Sequence, residues 1–392
     1  VNENAPGTRF RLQRMLPRDP NEPHRVASSL ELFFDLVFVI AVSTASSELH
    51  HALSEGHAAS GIVSYLMIFF AIWWAWMNFT WFATSFAVDD WLYRVLTIVQ
   101  MGGVVVLAAG VGPVFDEHHP DFSVVVIGYI VMRVAMIVQW LRAARGAGDG
   151  RRTTLAYAWC IAVIQALWVG FLFVPDSARL LVFVVLMLAE ISVPVIAERR
   201  VQTPWHPHHI TERYSLFTLI VLGESLLASA AAVIGVREEV DSLGPLIWIA
   251  IVALISAAGM WWIYFWPPHH AAISTMWRSL RYGYTHYFVF AAAAAFSAGV
   301  EVQIDALTGH TDLDPVAVSF ATSIPIAVFL LGIWFVAIRE NADRVVNTVV
   351  PLGAVLVLLD PLLPVPVTLT AVILVAVVVV LVLRPPVHRT VA

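Results

Sequence analysis

The sequence predicts an all-α polytopic integral membrane protein with about twelve transmembrane helices, arranged as two parallel six-helix repeats. Three observations predict it. Of 392 residues, 59% are apolar and only 13% are charged, and the mean hydropathy is +0.80; the charged share is about half that of soluble domains. Apolar stretches of about 20 residues, the length that crosses a bilayer, recur between polar breaks. The arginines fall on alternate breaks. These proportions exclude a soluble globular enzyme, and a single cysteine (Cys160) excludes a disulfide scaffold. With net charge −6 and no lysine, the chain offers no basic surface for nucleic acid and no lysine chemistry.

Reading between the polar breaks gives spans at 28–49, 60–83, 91–113, 122–141, 153–174, 179–197, 213–235, 244–266, 281–300, 315–338, 345–359 and 366–383. The eleventh is short and ends before Pro361. Residues 1–27 are polar, with Arg9, Arg11, Arg14, Arg18 and Arg25. They lack the order of a cleaved signal peptide, so the first span serves as the insertion signal. If that segment is cytoplasmic, twelve spans put all but Arg133, Arg179 and Arg237 of the 22 arginines on the same side, including Arg94, Arg213, Arg281, Arg339 and Arg389. The positive-inside rule therefore predicts a multi-pass protein of the bacterial cytoplasmic membrane with both termini inside.

The repeat is read from internal likeness. IWWAWMNFTWF (72–82) resembles GMWWIYFWPP (259–268), aligning Trp73-Trp74 with Trp261-Trp262. The same shift takes Arg25 to Arg213, and a shift one residue longer takes Asp35 to Glu224. The predicted organisation is a cytoplasmic segment 1–27, a first repeat 28–200 and a second repeat 201–392. Six spans per half give both halves one orientation, with a pathway expected between them.

Ionisable groups inside spans are costly and point to function. Glu31 and Asp35 share one face of span one; Glu31, near the span's end, is expected to be solvated. Glu224 lies near the middle of span seven. Arg133 in span four and Glu190 in span six lie at a depth similar to Asp35. A salt bridge from Arg133 to Asp35 or Glu190 would lock helices together. One arginine cannot neutralise three acids, so at least one should be protonated, hydrated or paired elsewhere, for instance with His286 in span nine. That surplus favours cations or protons over anions. Asn78, Arg94, Arg281 and Tyr284 are candidate polar or gating groups. The AAAAA run of span nine permits close helix approach. Gly223 in LGES (222–225) would let backbone approach Glu224, and GGVVVLAAGVG (102–112) gives span three a small-residue face. The tryptophan clusters read as interfacial belt or lipid-facing packing, or as a stacking platform for a ligand. Four His-His pairs sit at span ends or loops without completing a metal site. No hydrolase, zinc-protease or Walker motif occurs, and no metal or cofactor is implied.

HRVASSLELFFDLVFVIAV (24–42), ERYSLFTLIVLGESLLA (212–228) and YGYTHYFVFAAAAAFSAGVE (282–301) resemble the bacterial low temperature requirement protein A (LtrA) family, and the resemblance covers nearly all the spans. The family implies a membrane fold and supplies no substrate. A more distant likeness joins Phe33-Phe34-Asp35 to the first-helix R-x-x-x-F-S-D motif of potassium channels with two six-helix repeats; here Ser29 stands in place of the arginine. The expected function is a cation or proton channel or coupled transporter, with Asp35 and Glu224 as the paired acids, Arg133 and Glu190 tuning them and His286 as relay. The alternatives are a transporter or flippase for a small organic molecule or lipid, or a membrane-embedded enzyme using Asp35, Glu190 and His286. The expected partners are the lipid bilayer and the transported species, and a homodimer is compatible with either pathway.

Overall fold

The computed structural model describes residues 12–23, 25–237, 242–363 and 368–387. Arg9, Arg11 and Arg389 of the arginine pattern lie outside them. The described residues are helical, without strands. In chain order the helices are α1 (Ser29–Ser54), α2 (Ala58–Phe86), α3 (Trp91–Ala109), α4 (Ser123–Ala143), α5 (Arg151–Phe171), α6 (Asp176–Ala197), α7 (Pro207–Gly235), α8 (Gly244–Phe265) and α9 (Met276–Thr308). Next comes α10 (Pro315–Ile333), which runs on through a π-helical turn (Trp334–Ile338) and a final turn (Arg339–Asn341). The last two are α11 (Arg344–Leu359) and α12 (Thr368–Leu383).

Among the described residues, 11 helices are long and apolar enough to cross a membrane. The segment expected as the twelfth span is the 16-residue α12, about 24 Å at 1.5 Å per residue and short of a hydrocarbon core of about 30 Å. Two helices are longer than their apolar stretches. α7 begins at Pro207 rather than 213, because proline suits the first helical position. α9 runs on past 300 through Glu301 and Asp305 to Gly309, whose φ of +78° ends it in the left-handed conformation.

The chain divides into two compact units, residues 1–41 with 70–213, and residues 42–69 with 214–392. α1, α2 and α7 each contribute to both. In the first unit α3 and α4 pack glycine against glycine. A Cβ on Gly128 would lie 2.5 Å from the Leu107 amide nitrogen, and one on Gly103 would lie 2.8 Å from the Gly128 carbonyl oxygen, so the small-residue face of span three is used. α6 shows how the pattern selects a face. Phe183, Leu186, Glu190, Val193 and Ala197 are buried at helical spacing, whereas Leu180, Leu181, Val185 and Leu188 are exposed, as suits an apolar solvent. Glu190 thus sits in the buried stripe.

Part of the polar N-terminal segment packs on this unit. The Arg18 amide donates to the Ser85 carbonyl (2.9 Å). Asp90 caps α3 by accepting from the Tyr93 amide (2.9 Å) and also takes the Gln13 amide (2.9 Å) and the Arg142 guanidinium (Nη1–Oδ1 3.0 Å). Burial alone would raise the Asp90 carboxyl; Arg142 and the two amides hold it below the ordinary carboxylate range.

In the second unit α9 and α10 meet at Gly299, where a Cβ would stand 2.3 Å from the Ala321 carbonyl oxygen. Asp314 caps α10, accepting from the amides of Val316 (2.9 Å) and Ala317 (3.0 Å). Asp343 caps α11 through the Val346 amide (2.9 Å).

Candidate functional site

Besides the Asp90–Arg142 pair, the described residues of the first unit hold two separate buried ion pairs that involve candidate site residues. Asp35 on α1 meets Arg213 on α7, with Nε to Oδ2 at 3.0 Å and a second contact from Nη2 to Oδ1. Both side chains are fully buried. The Trp76 indole donates to Asp35 (2.7 Å). Glu31, one turn earlier on α1, lies 3.3 Å from Arg213 Nη1 and 3.2 Å from His209 Nε2, and accepts the Ser28 amide (2.7 Å). Glu31 is therefore buried and partnered rather than solvated, because α7 starts early enough to bring His209 and Arg213 alongside it.

The second pair is Arg133 on α4 with Glu190 on α6 (3.1 Å). Glu190 also accepts from the indoles of Trp74 (2.7 Å) and Trp168 (3.2 Å) and the Tyr129 hydroxyl (3.3 Å). Of the two partners expected for Arg133, the structure chooses Glu190. Asp35 shares Arg213 with Glu31, and Glu190 has Arg133, so each of these acids has a guanidinium beside it. Positions 74 and 76 are about 200° apart around a helix, so α2 sends one indole to each carboxylate. Trp74 and Trp76 are buried hydrogen-bond donors, not belt residues, whereas Trp261 and Trp262 are each 42% exposed.

The remaining polar candidates are placed as follows. Asn78 donates to the Trp74 carbonyl (2.7 Å) within α2. Arg94 binds Asp89 (2.7 Å) at an exposed helix start. Arg281 binds Glu340 (2.7 Å), and Tyr284 is half-buried on α9. His286 sits in an aromatic cluster. Its Nδ1 donates to the Tyr282 carbonyl (2.7 Å), leaving Nε2 to accept from the Tyr264 hydroxyl (3.2 Å). In the turn between α8 and α9, His269 Nε2 donates to the Tyr264 carbonyl (2.7 Å), and Nδ1 accepts from the Tyr282 hydroxyl (2.9 Å). Burial pushes His269 down to about 4. Both imidazoles are neutral in this arrangement, and no carboxylate is among the described partners of His286.

Glu224 has different surroundings. Within the second unit, α1, α7 and α9 line a half-open cavity of about 390 Å³, with Ser43, Ser46, Glu224, Ser225, Ser297 and Glu301 among alanines and aliphatic side chains. The Ser43 hydroxyl donates to Glu224 (2.6 Å). The described lining contains no arginine. The alanine run lets hydroxyls reach the α9 backbone beside the cavity. Tyr65 donates to the Ala291 carbonyl (2.7 Å), Ser225 to Ala293 (3.1 Å) and Ser46 to Ala294 (3.0 Å). Gly223 plays no part, since it is exposed and a Cβ there would meet nothing within 4 Å. Glu301, at the edge of this lining, also meets a polar group outside it, partly in residues that apolar segmentation leaves out. His50 on α1 lies between Glu301 (Nδ1–Oε2 3.3 Å) and Asp305 (Nε2–Oδ2 2.7 Å), and Ser54 donates to Asp305 (2.6 Å). Asp35 and Glu224, the two acids that the internal likeness of the sequence aligned, thus have unlike settings, one in an ion pair and one in a cavity.

Residues 26–383 match the sequence profile of the bacterial low temperature requirement A protein (LtrA). An uncharacterized protein of Rhizobium meliloti (strain 1021) is 27% identical over 258 residues, which are 63% of this chain and 60% of that relative. The match therefore spans less than two thirds of the relative's length.

Proposed function

The chain belongs to the bacterial LtrA family of membrane proteins, and on that premise we propose that it passes small cations or protons across the bilayer, with Glu224 as the acid that meets the ion. The observation that carries this is the contrast among its acids. Asp35 and Glu190 are each held by an arginine, whereas Glu224 faces a cavity with a serine hydroxyl as its hydrogen-bond donor and no arginine in the described lining. An acid without a counter-cation in a low-dielectric wall attracts positive charge and repels anions. Serine hydroxyls and helix carbonyls supply oxygens that replace part of an ion's hydration. At about 30 Å³ per water, the cavity has room for about a dozen waters, so an ion would travel partly hydrated. The same volume admits a small organic amine, the second reading.

The Asp35–Arg213–Glu31 and Arg133–Glu190 groups then serve as frame within the first unit. His286, with its neutral aromatic partners, belongs to the packing. The arginine alternation supports insertion in the bacterial cytoplasmic membrane with both termini inside. The test is flux in proteoliposomes loaded with pH-sensitive and potassium-sensitive dyes, comparing wild type with Glu224→Gln. Loss of flux in the folded variant is expected. Unchanged flux through Glu224→Gln would refute the proposal.

A further inference from the structure

We propose that the ion carried is the proton and that His50 is the relay delivering it to the cavity, between Asp305 and Glu301; this rests on the cavity reading above. The geometry of the imidazole is the basis. Nε2 lies 2.7 Å from Asp305 Oδ2 and Nδ1 3.3 Å from Glu301 Oε2. A neutral imidazole carries a proton on one nitrogen and a bare lone pair on the other. Between two ionised carboxylates, that lone pair would face a carboxylate oxygen. Nδ1 is buried without a hydrogen bond at this approach, so a small turn of the ring would bring it onto Glu301, and the three groups together offer places for a further proton on the ring or on either carboxyl.

The three groups also lie in series. Asp305 and Glu301 are one turn apart on α9, and Glu301 lines the cavity that contains Glu224. Transfer balances as follows. Asp305, protonated, gives its proton to His50 Nε2, and the ring releases the Nδ1 proton to the Glu301 carboxylate. Asp305 becomes ionised, Glu301 becomes protonated and the imidazole returns neutral as the other tautomer. Ring rotation or the reverse transfer resets it. The ionisable groups acting on this centre are Glu301 and Asp305 on α9 and His51 on α1, whose ring centroid is 4.9 Å from that of His50. Ser54 fixes Asp305 from α1 (2.6 Å), and its own carbonyl is held by the Thr311 hydroxyl (2.6 Å). The two ring nitrogens face separate carboxylates rather than converging with them on one point, which favours a proton over a metal ion as the bound species.

The full chain in proteoliposomes tests this with the same two dyes and three added variants: His50→Gln, His50→Ala and Asp305→Asn. Wild type is expected to carry protons. His50→Gln and Asp305→Asn should each slow that flux at least tenfold, and millimolar imidazole should restore flux to His50→Ala, which a merely structural histidine would not permit. Proton flux unchanged in His50→Gln, or His50→Ala slow and insensitive to imidazole, overturns the relay. Potassium flux without proton flux in wild type also overturns it and leaves the cation pathway standing. Flux that survives Glu224→Gln overturns the cavity reading itself.

Discussion

Asp35→Asn should destabilise the protein without help from any transported ion. Arg213 is fully buried, and its side chain cannot lose its proton. Removing one partner from a buried ion pair leaves the other charge uncompensated, at a cost of about 3–5 kcal/mol. Glu31 remains 3.3 Å from Nη1, so the loss falls at the lower end, about 3 kcal/mol. At roughly 2–4 °C per kcal/mol for a unit of this size, the melting temperature should drop by about 6–12 °C. The assay is near-ultraviolet circular dichroism of the 15 tryptophans in detergent, heated at a fixed rate. Asp35→Asn combined with Glu31→Gln and Arg213→Gln should recover most of the loss, because Arg213 is shared with Glu31 and only the triple change removes all three charges. A single variant melting with wild type, or a triple variant melting below the single, would refute the reasoning.

Glu190→Gln should cost more than Asp35→Asn, toward 5 kcal/mol, because Arg133 Nε and Nη1 are already buried without hydrogen-bond partners; equal or reversed melting temperatures would contradict this. Gly299→Ala forces a Cβ against the Ala321 carbonyl and should lower stability by about 1–3 kcal/mol, whereas Gly223→Ala should leave both melting and flux unchanged; thermal scans of the pair check it. Neutral His269 contributes stability that is fully present above the unfolded value of about 6.5 and is lost as pH falls toward about 4, since the folded state then binds fewer protons than the unfolded. Melting temperature against pH should therefore fall over that window, less steeply in His269→Gln; parallel curves would remove His269 from the account.

The helical spans were legible because hydropathy is a local property, and the buried stripe of α6 can be read by counting threes and fours. Where spans end was less legible. Apolar counting starts span seven at Arg213, which makes that arginine look like a topological marker, while Pro207 marks the actual helix start and places Arg213 nearly two turns inside. Likewise it stops span nine at 300, although Glu301 and Asp305 keep helical spacing up to Gly309. Partner choice was not local at all. Asp35 and Arg213 are 178 positions apart, and His50 and Asp305 are 255 apart. Which acids would stand beside an arginine (Asp35, Glu31, Glu190) and which beside hydroxyls or an imidazole (Glu224, Glu301) depends on these long-range meetings. The roles of Trp74 and Trp76 were hidden because indole donors and belt residues share one composition.

The distance along the chain between Asp35 and its partners also sets an order of assembly. At roughly 5–20 residues per second, the 41 positions to Trp76 take about 2–8 s to synthesise, and the 178 positions to Arg213 about 9–36 s. During that interval α1 must wait with an acid that disfavours insertion by up to about 3 kcal/mol. The Trp76 indole is the first donor to reach it, and the arginine closes the pair only when the seventh helix arrives. Of the two partners of that carboxylate, the tryptophan is thus available early in synthesis and the arginine late.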